Sequence, residues 1–285
     1  MSLTTAAGLS DEFEAIFLAP PGPALGEAER LGFSTGTYRT SGDLARALRP
    51  ILRAKKSLTL VATGPRYSLV CMGLNLLYRR TIRHIQMVHA GAGEWKDYGR
   101  KKLLNPFNIT FVTVSQYCRE KLIEHGVRRP IEVVGNFLPD RQVRDAPRRA
   151  AFERPVTRAL IVSRLVELKR LEVIFDALDS QAELANFPID IVGDGPDREK
   201  YERRAADHPN VRLLGFQTDM AGHYAASDLL VHTCPTEPFG MVVLEAMAKA
   251  LISFLPRASR CALIPWITAP PAIIISALPA SSGPR

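Results

Sequence analysis

Asp228-Leu-Leu-Val-His-Thr-Cys-Pro-Thr-Glu-Pro-Phe-Gly-Met-Val-Val-Leu-Glu-Ala-Met-Ala248 is the stretch that decides how the chain is read. A buried strand over Asp228–Thr233 runs into a tight loop, and a helix follows that starts near Phe239 and Gly240. The unsatisfied N–H groups of such a helix start act together with the dipole to hold an anion. Glu237 stands just before the helix and Glu245 two turns along it, with seven residues between them. Carboxylates at that separation can accept hydrogen bonds from different hydroxyls of one extended ligand. Spacing alone also fits a plainer pair, a helix-start acid at 237 favoured by the dipole and a solvated helix residue at 245.

Outward from this stretch, short β-branched runs alternate with helical patterns, the signature of α/β architecture. Strands are expected at Phe13–Ala19, Ser57–Ala62, His84–His89, Ile109–Ser115, Ile131–Val134, Thr157–Ser163, Ile189–Gly193, Val211–Gly215 and Asp228–Thr233. Leu171, Ile174, Phe175 and Leu178 follow helical spacing and give one apolar stripe to lay against a sheet. Between Asn136 and Pro155 the apolar alternation stops in a charged, proline-punctuated run, where the interdomain linker is expected. The reading is therefore two parallel-sheet domains facing a cleft: residues 1–140, a linker over 141–155, and residues 156–249. From residue 250 to 285 the character changes: no Asp or Glu follows Glu245 and prolines crowd in, so this tail is expected to lack regular packing against the sheet.

With 285 residues, 46% hydrophobic and 23% charged, the chain has the composition of a folded protein, not of a disordered or collagen-like one. Its 37 Lys and Arg against 29 Asp and Glu leave a net charge of +8, which favours anionic partners. Cys71, Cys118, Cys234 and Cys261 are far apart and form no CxxC pair, which fits a reducing, cytoplasmic setting. The first ten residues lack the basic and apolar regions of a secretory signal. Cys261–Ala280 is uncharged and long enough to span a membrane, but four prolines interrupt it.

Glu237-Pro-Phe-Gly-Met-Val-Val-Leu-Glu245 resembles the E-x7-E motif of the retaining GT-B glycosyltransferases of family 4. Upstream, Ser163-Arg-Leu-Val-Glu-Leu-Lys169 resembles that family's G-R-L-x-x-x-K-G segment, and Ile191-Val-Gly-Asp-Gly-Pro its V-G-x-G-P strand end. Val211-Arg-Leu-Leu-Gly-Phe and Tyr224-Ala-Ala-Ser-Asp228 complete four ordered matches. In the first half, Val88-His89 ends a strand as the family's cleft histidine does, and Val133-Val-Gly-Asn136 resembles its crossover.

The resemblance implies two Rossmann-like domains and a UDP- or GDP-sugar donor held mainly by the second. It implies that Arg164 and Lys169 bind the donor diphosphate, so that no metal and no further cofactor is required. Phe239, Gly240, Met241 and Val242 would offer backbone amides, Glu237 would touch the transferred sugar and Glu245 the ribose. Catalytic roles fall on Glu237 and His89, and transfer proceeds with retention to a glycan or lipid-linked acceptor. Outside that resemblance, Arg164 and Lys169 also read as solvated loop charges and His89 as a hydrogen-bonded strand-end histidine.

Departures from the family pattern matter as well. The opening strand and glycine-rich loop are not recognisable, nor is the continuation after Lys249, so the chain reads as truncated at both ends, with a frame-shifted tail, and an inactive fragment is the alternative. A dinucleotide oxidoreductase is disfavoured because the third glycine of G-x-G-x-x-G is Arg198. The basic clusters Arg79, Arg80, Arg83 and Tyr98–Lys102 lack an aromatic stacking platform, which argues against nucleic acid and leaves peripheral contact with anionic membrane.

Overall fold

The computed structural model describes residues 14–54, 57–79, 81–89, 96, 98–138, 155–249 and 251–255. The chain divides into two compact units, Met1–Asn136 and Phe137–Arg285. Most of the expected linker, residues 139–154, and residues 256–285 of the tail lie outside the described residues.

In the first unit β1 (Ile16–Ala19) pairs in parallel with β2 (Ser34–Thr37), and α1 (Pro23–Arg30) connects them. A parallel sheet of order β3-β4-β5-β6 follows, built from Ser57–Ala62, Thr81–Val88, Ile109–Thr113 and Ile131–Val133. Its crossovers include α3 (Pro65–Tyr78), a 3₁₀ turn (Gly99–Leu104) and α4 (Gln116–Glu124). Helix α2 (Ser41–Ala54) buries Leu44, Leu48 and Leu52 at helical spacing and packs against α3. The strand β4 starts earlier than the expected His84, because Thr81, Ile82 and Arg83 pair with Ser57, Leu58 and Thr59. Strand β2 reads Ser-Thr-Gly-Thr, with no apolar alternation to announce it.

The second unit is one parallel sheet of order β11-β10-β7-β8-β9. Its strands are β7 (Ala159–Val162), β8 (Ile189–Val192), β9 (Val211–Gly215), β10 (Leu229–Val231) and β11 (Ile252–Phe254). Helices α5 (Glu172–Ser180), α6 (Arg198–Ala205), α7 (Ala221–Ala225) and α8 (Met241–Ala248) alternate with them. Ala-Leu-Ile-Val of β7 and Ile-Asp-Ile-Val of β8 are buried on both faces, as strands inside a covered parallel sheet must be. The predicted stripe is met: Leu171, Phe175 and Leu178 join Ile161, Ile189, Ile191 and Tyr201 in one core, with Ile174 at its margin. Phe175 stacks on Tyr201 with ring centroids 5.9 Å apart.

A carboxylate inside such a strand must be paired. Asp190 of β8 is paired twice, with Arg212 of the adjacent β9 (Nε–Oδ1 2.7 Å) and with Arg158 just before β7 (3.0 Å). Burial pushes its pKa up, but the two guanidiniums outweigh that and hold it below the usual carboxylate range.

The expectation that the chain lacks regular packing beyond residue 250 is overturned for its first residues. Ile252–Phe254 pairs in parallel with Leu229–Val231 and forms the edge strand of the sheet. Leu251 and Leu255, flanking it, are buried. Helix α8 ends at Ala248 with Lys249 as its C-cap, and the Leu251 and Ile252 amides donate to the Ala246 and Asp228 carbonyls.

Candidate donor site

Sheet order places the site. From β7 the chain steps one way to β8 and β9, then returns to place β10 on the other side of β7. The loops leaving β7 and β10 therefore lie side by side at the carboxyl edge of the sheet, the switch point where open α/β sheets bind ligands. Arg164 and Lys169 lie in the first of these loops and Glu237 in the second.

Lys169 ends a short 3₁₀ turn, Glu167–Lys169, after β7, and Glu237 lies in the loop after β10. Lys169 Nζ donates to Glu237 Oε2 at 2.6 Å, with both side chains under one-fifth exposed. The Thr233 hydroxyl donates to the Lys169 carbonyl, a second tie between the loops. Next to the pair is His232, which sequence reasoning passed over as a strand residue. It is 4% exposed and its Nε2, 3.5 Å from Glu237 Oε2, has no hydrogen-bond partner among the described residues. Burial drives its pKa down to about 4; the Glu237 carboxylate opposes that and Lys169 reinforces it, so the ring is neutral at pH 7.

Arg164 lies two residues beyond β7 and is exposed. Among the described residues its guanidinium has no hydrogen bond or ion pair, but its backbone is held firmly. Leu165 N–H donates to the Asp194 carbonyl at 2.9 Å, and the Leu165 carbonyl accepts from Asp197 N–H at 3.1 Å. The loop after β8 comes so close that a Cβ on Gly193 would sit 1.8 Å from the Ser163 oxygen, and one on Gly195 2.3 Å from that of Leu165. Gly193 also has φ of +136°. Glycine at both positions is thus a packing requirement of the loop that presents Arg164.

Helix α8 begins at Met241, one residue later than the expected Gly240. Gly240 is its N-cap in the left-handed region, at φ 90° and ψ 58°, and no side chain caps the first turn. The first intrahelical bond is Leu244 N–H to the Gly240 carbonyl, at 3.0 Å. The amides of Met241 and Val242 precede it, and Phe239 is buried just before the cap. Glu245 follows in the second turn and accepts a hydrogen bond from the Tyr224 hydroxyl at 2.7 Å. Tyr224, in α7, is buried, and burial and then Glu245 raise its pKa, so it stays a donor at any working pH. Its Oη–Oε2 bond leaves the second Glu245 oxygen for another donor. Nothing but the position of Tyr224 in the segment before Asp228 signals this in the sequence.

His232, Cys234 and Glu237 also bring a nitrogen, a thiol and a carboxylate oxygen within 4.8 Å of one another. A cation there would have to displace Lys169 from Glu237. It would also need a thiolate at Cys234, whose pKa burial raises and whose sulfur faces the Thr236 carbonyl at 3.2 Å. His89 follows β4 in the first unit and is half-buried, with burial lowering its pKa. It belongs to a different unit from the residues gathered at the switch point.

Residues 157–254 match the family model described as glycosyl transferases group 1. Among curated proteins, the chain is 31% identical over 156 residues to the lipopolysaccharide core biosynthesis glycosyltransferase LpsD of Rhizobium meliloti, covering 52% of this chain and 44% of that one. It is 31% identical over 135 residues to LpsE of the same organism, over 46% of this chain and 38% of that one. The chain thus spans less than half the length of the curated relatives it matches. The crystal structure of Anabaena Alr3699/HepE in complex with UDP and glucose superposes with a TM-score of 0.71 at 18% identity, over 90% of this chain and 76% of that one. That likeness carries the fold, two Rossmann-like parallel-sheet domains of the GT-B class.

Proposed function

We propose that this protein transfers a sugar from a UDP- or GDP-sugar to a glycan or lipid-linked acceptor, in the cytoplasm, with retention of configuration and without a metal. Residues 1–140 serve the acceptor and residues 156–249 the nucleotide-sugar. The observation that carries this reading is the Lys169–Glu237 pair at the switch point, beside an exposed Arg164 and a helix start that no side chain caps.

Cleaving a sugar–diphosphate bond requires stabilising the departing diphosphate and the positive charge that grows at the anomeric carbon. Arg164, Lys169 and the amides at Phe239, Gly240, Met241 and Val242 supply the first. Glu237 meets the sugar hydroxyls, Glu245 the ribose, and His89 is the catalytic-side contribution of the first unit. Two cations on the diphosphate do the work that a divalent ion does elsewhere. The acceptor hydroxyl loses its proton to the departing phosphate on the same face, so no protein nucleophile takes part. The relatives LpsD and LpsE, both of lipopolysaccharide core biosynthesis, favour a glycan or lipid-linked acceptor.

The test is release of nucleoside diphosphate from UDP- and GDP-sugars with lipopolysaccharide-core and lipid-linked acceptors, with chelator present, followed by NMR of the new anomeric centre. An axial donor giving an axial product supports the reading. An inverted product, or turnover that chelator abolishes, refutes it.

A further inference from the structure

The Lys169 ammonium does more than pair with Glu237. It sits 2.6 Å from Glu237 Oε2, and its charge also acts on the Cys234 thiol and the His232 ring. A cation therefore already stands among an imidazole nitrogen, a thiol sulfur and a carboxylate oxygen that lie within 4.8 Å of one another. His232 Nε2 is the member that the ion pair does not explain. At 3.5 Å from Glu237 Oε2 it is beyond a normal hydrogen bond, and it has no other partner among the described residues. A buried imidazole nitrogen left so is costly, and a metal ion would satisfy it.

The residue types select the ion. Imidazole, thiolate and carboxylate are ligands of Zn²⁺, whose tetrahedron sets ligand atoms about 3.3–3.7 Å apart, so small side-chain rotations would close the set and leave a fourth position for water. Charge decides against harder cations. The cluster as it stands is neutral, with the Lys169 ammonium against the Glu237 carboxylate and an uncharged thiol and imidazole. Zn²⁺ bound to that carboxylate and a Cys234 thiolate is neutral again, the thiol proton having gone to solvent. Mg²⁺ prefers oxygen and leaves the thiol protonated, so it would bring uncompensated positive charge into a buried place.

Lys169 is able to leave. Its backbone is fixed, since the Thr233 hydroxyl donates to the Lys169 carbonyl and Cys234 Sγ donates to the Leu168 carbonyl at 3.6 Å. Its side chain is a flexible four-carbon stem, 18% exposed, which can swing to solvent without moving the loop. Ammonium and metal are thus alternative occupants of one place.

We propose that His232, Cys234 and Glu237 form a zinc site in which Zn²⁺ replaces the Lys169 ammonium. Zinc there takes Glu237 and expels Lys169, so it inhibits nucleotide-sugar binding; this consequence, unlike the metal site itself, rests on the proposed function.

The test uses the full chain, stripped with chelator and titrated with Co²⁺, whose thiolate charge-transfer band and visible spectrum report the ligands and their geometry. A thiolate band that Zn²⁺ bleaches and excess Mg²⁺ does not is expected. Cys234→Ser should abolish the band, and His232→Ala should weaken Zn²⁺ binding by tenfold or more in protein that still melts cooperatively. Lys169→Met should instead tighten Zn²⁺ binding about tenfold, because the competing ammonium is gone. No thiolate band, a band that survives Cys234→Ser, or Zn²⁺ affinity that Lys169→Met leaves unchanged overturns the inference. In a second titration Zn²⁺ should weaken UDP or GDP binding by tenfold or more in the parent chain and have no such effect in Cys234→Ser; Zn²⁺ bound without that loss overturns the inhibition. A chain that takes the metal at these residues and binds neither nucleotide upholds the site and overturns the proposed transfer alone.

Discussion

Lys169 and Glu237, 68 positions apart in sequence, meet at 2.6 Å because β10 is laid beside β7. The pair locks the two loops of the switch point together and leaves His232 buried against the carboxylate. Removing the ammonium would strand a carboxylate that is only 17% exposed beside a neutral imidazole. Lys169→Met should therefore lower the thermal midpoint of the second unit, and it should raise the pKa of His232, since Lys169 is one of the groups holding it down. NMR titration of the His232 ring reads this directly, and an unmoved pKa would show that the two side chains do not share one site.

Tyr224 and Glu245 form the second junction. Tyr224→Phe removes the hydroxyl donor and keeps the ring, and it should cost about 1–2 kcal/mol in chemical denaturation. If Glu245 also holds the ribose, nucleotide affinity should fall a few-fold in the same variant. Unchanged stability would mean that the bond is not formed in solution.

The glycines opposite the Arg164 loop tolerate no side chain. Gly193→Ala places a methyl group 1.8 Å from the Ser163 oxygen and forces a β-carbon to φ +136°. Loss of several kcal/mol or outright failure of the second unit to fold is expected by circular dichroism and urea denaturation. Gly73→Ala, in an exposed helix with open space, should by contrast be neutral or slightly stabilising.

Acid should destabilise both units through one buried histidine each. His84 is 2% exposed, and its Nε2 bonds the buried Ser68 hydroxyl at 2.7 Å. Burial holds the His84 pKa at about 4, as it does for His232. An unfolded histidine titrates near 6.5, so between about pH 6.5 and 4 the unfolded chain binds protons that the folded one refuses. The histidine contribution should thus fall as pH drops through that window, by up to about 3 kcal/mol per histidine, and itself level off below it. Urea midpoints at pH 7, 5.5 and 4 check this, and a flat profile would contradict it.

What the sequence made legible was the periodic part of the fold. Long apolar runs such as Ile189–Val192 and the Leu171–Phe175–Leu178 stripe carry their own period, and the loops at 164–169 and 237–245 carry recognisable residues. Strand β2 was hidden because Ser-Thr-Gly-Thr has no apolar face, and β11 because Ile-Ser-Phe is too short to show a period of its own. His232 and Tyr224 were missed for another reason: His232, five positions from Glu237, reads as an ordinary strand residue, and Tyr224 lies 21 positions from Glu245 in a different helix. The exposure of Leu76 and Leu77 in α3 is invisible to periodicity, since an apolar helix reads as buried on every side.

The central claim is that Arg164, Lys169, Glu237, Glu245 and the start of α8 form a metal-independent site for a nucleoside diphosphate. Its most direct test is calorimetric titration of the full chain with UDP and with GDP, in the presence and absence of chelator, repeated with Lys169→Ala. Saturable binding of one nucleotide, unchanged by chelator and weakened by roughly 10- to 100-fold in the variant, is the predicted result. Folded protein that binds neither nucleotide, or binding that chelator removes, would contradict it.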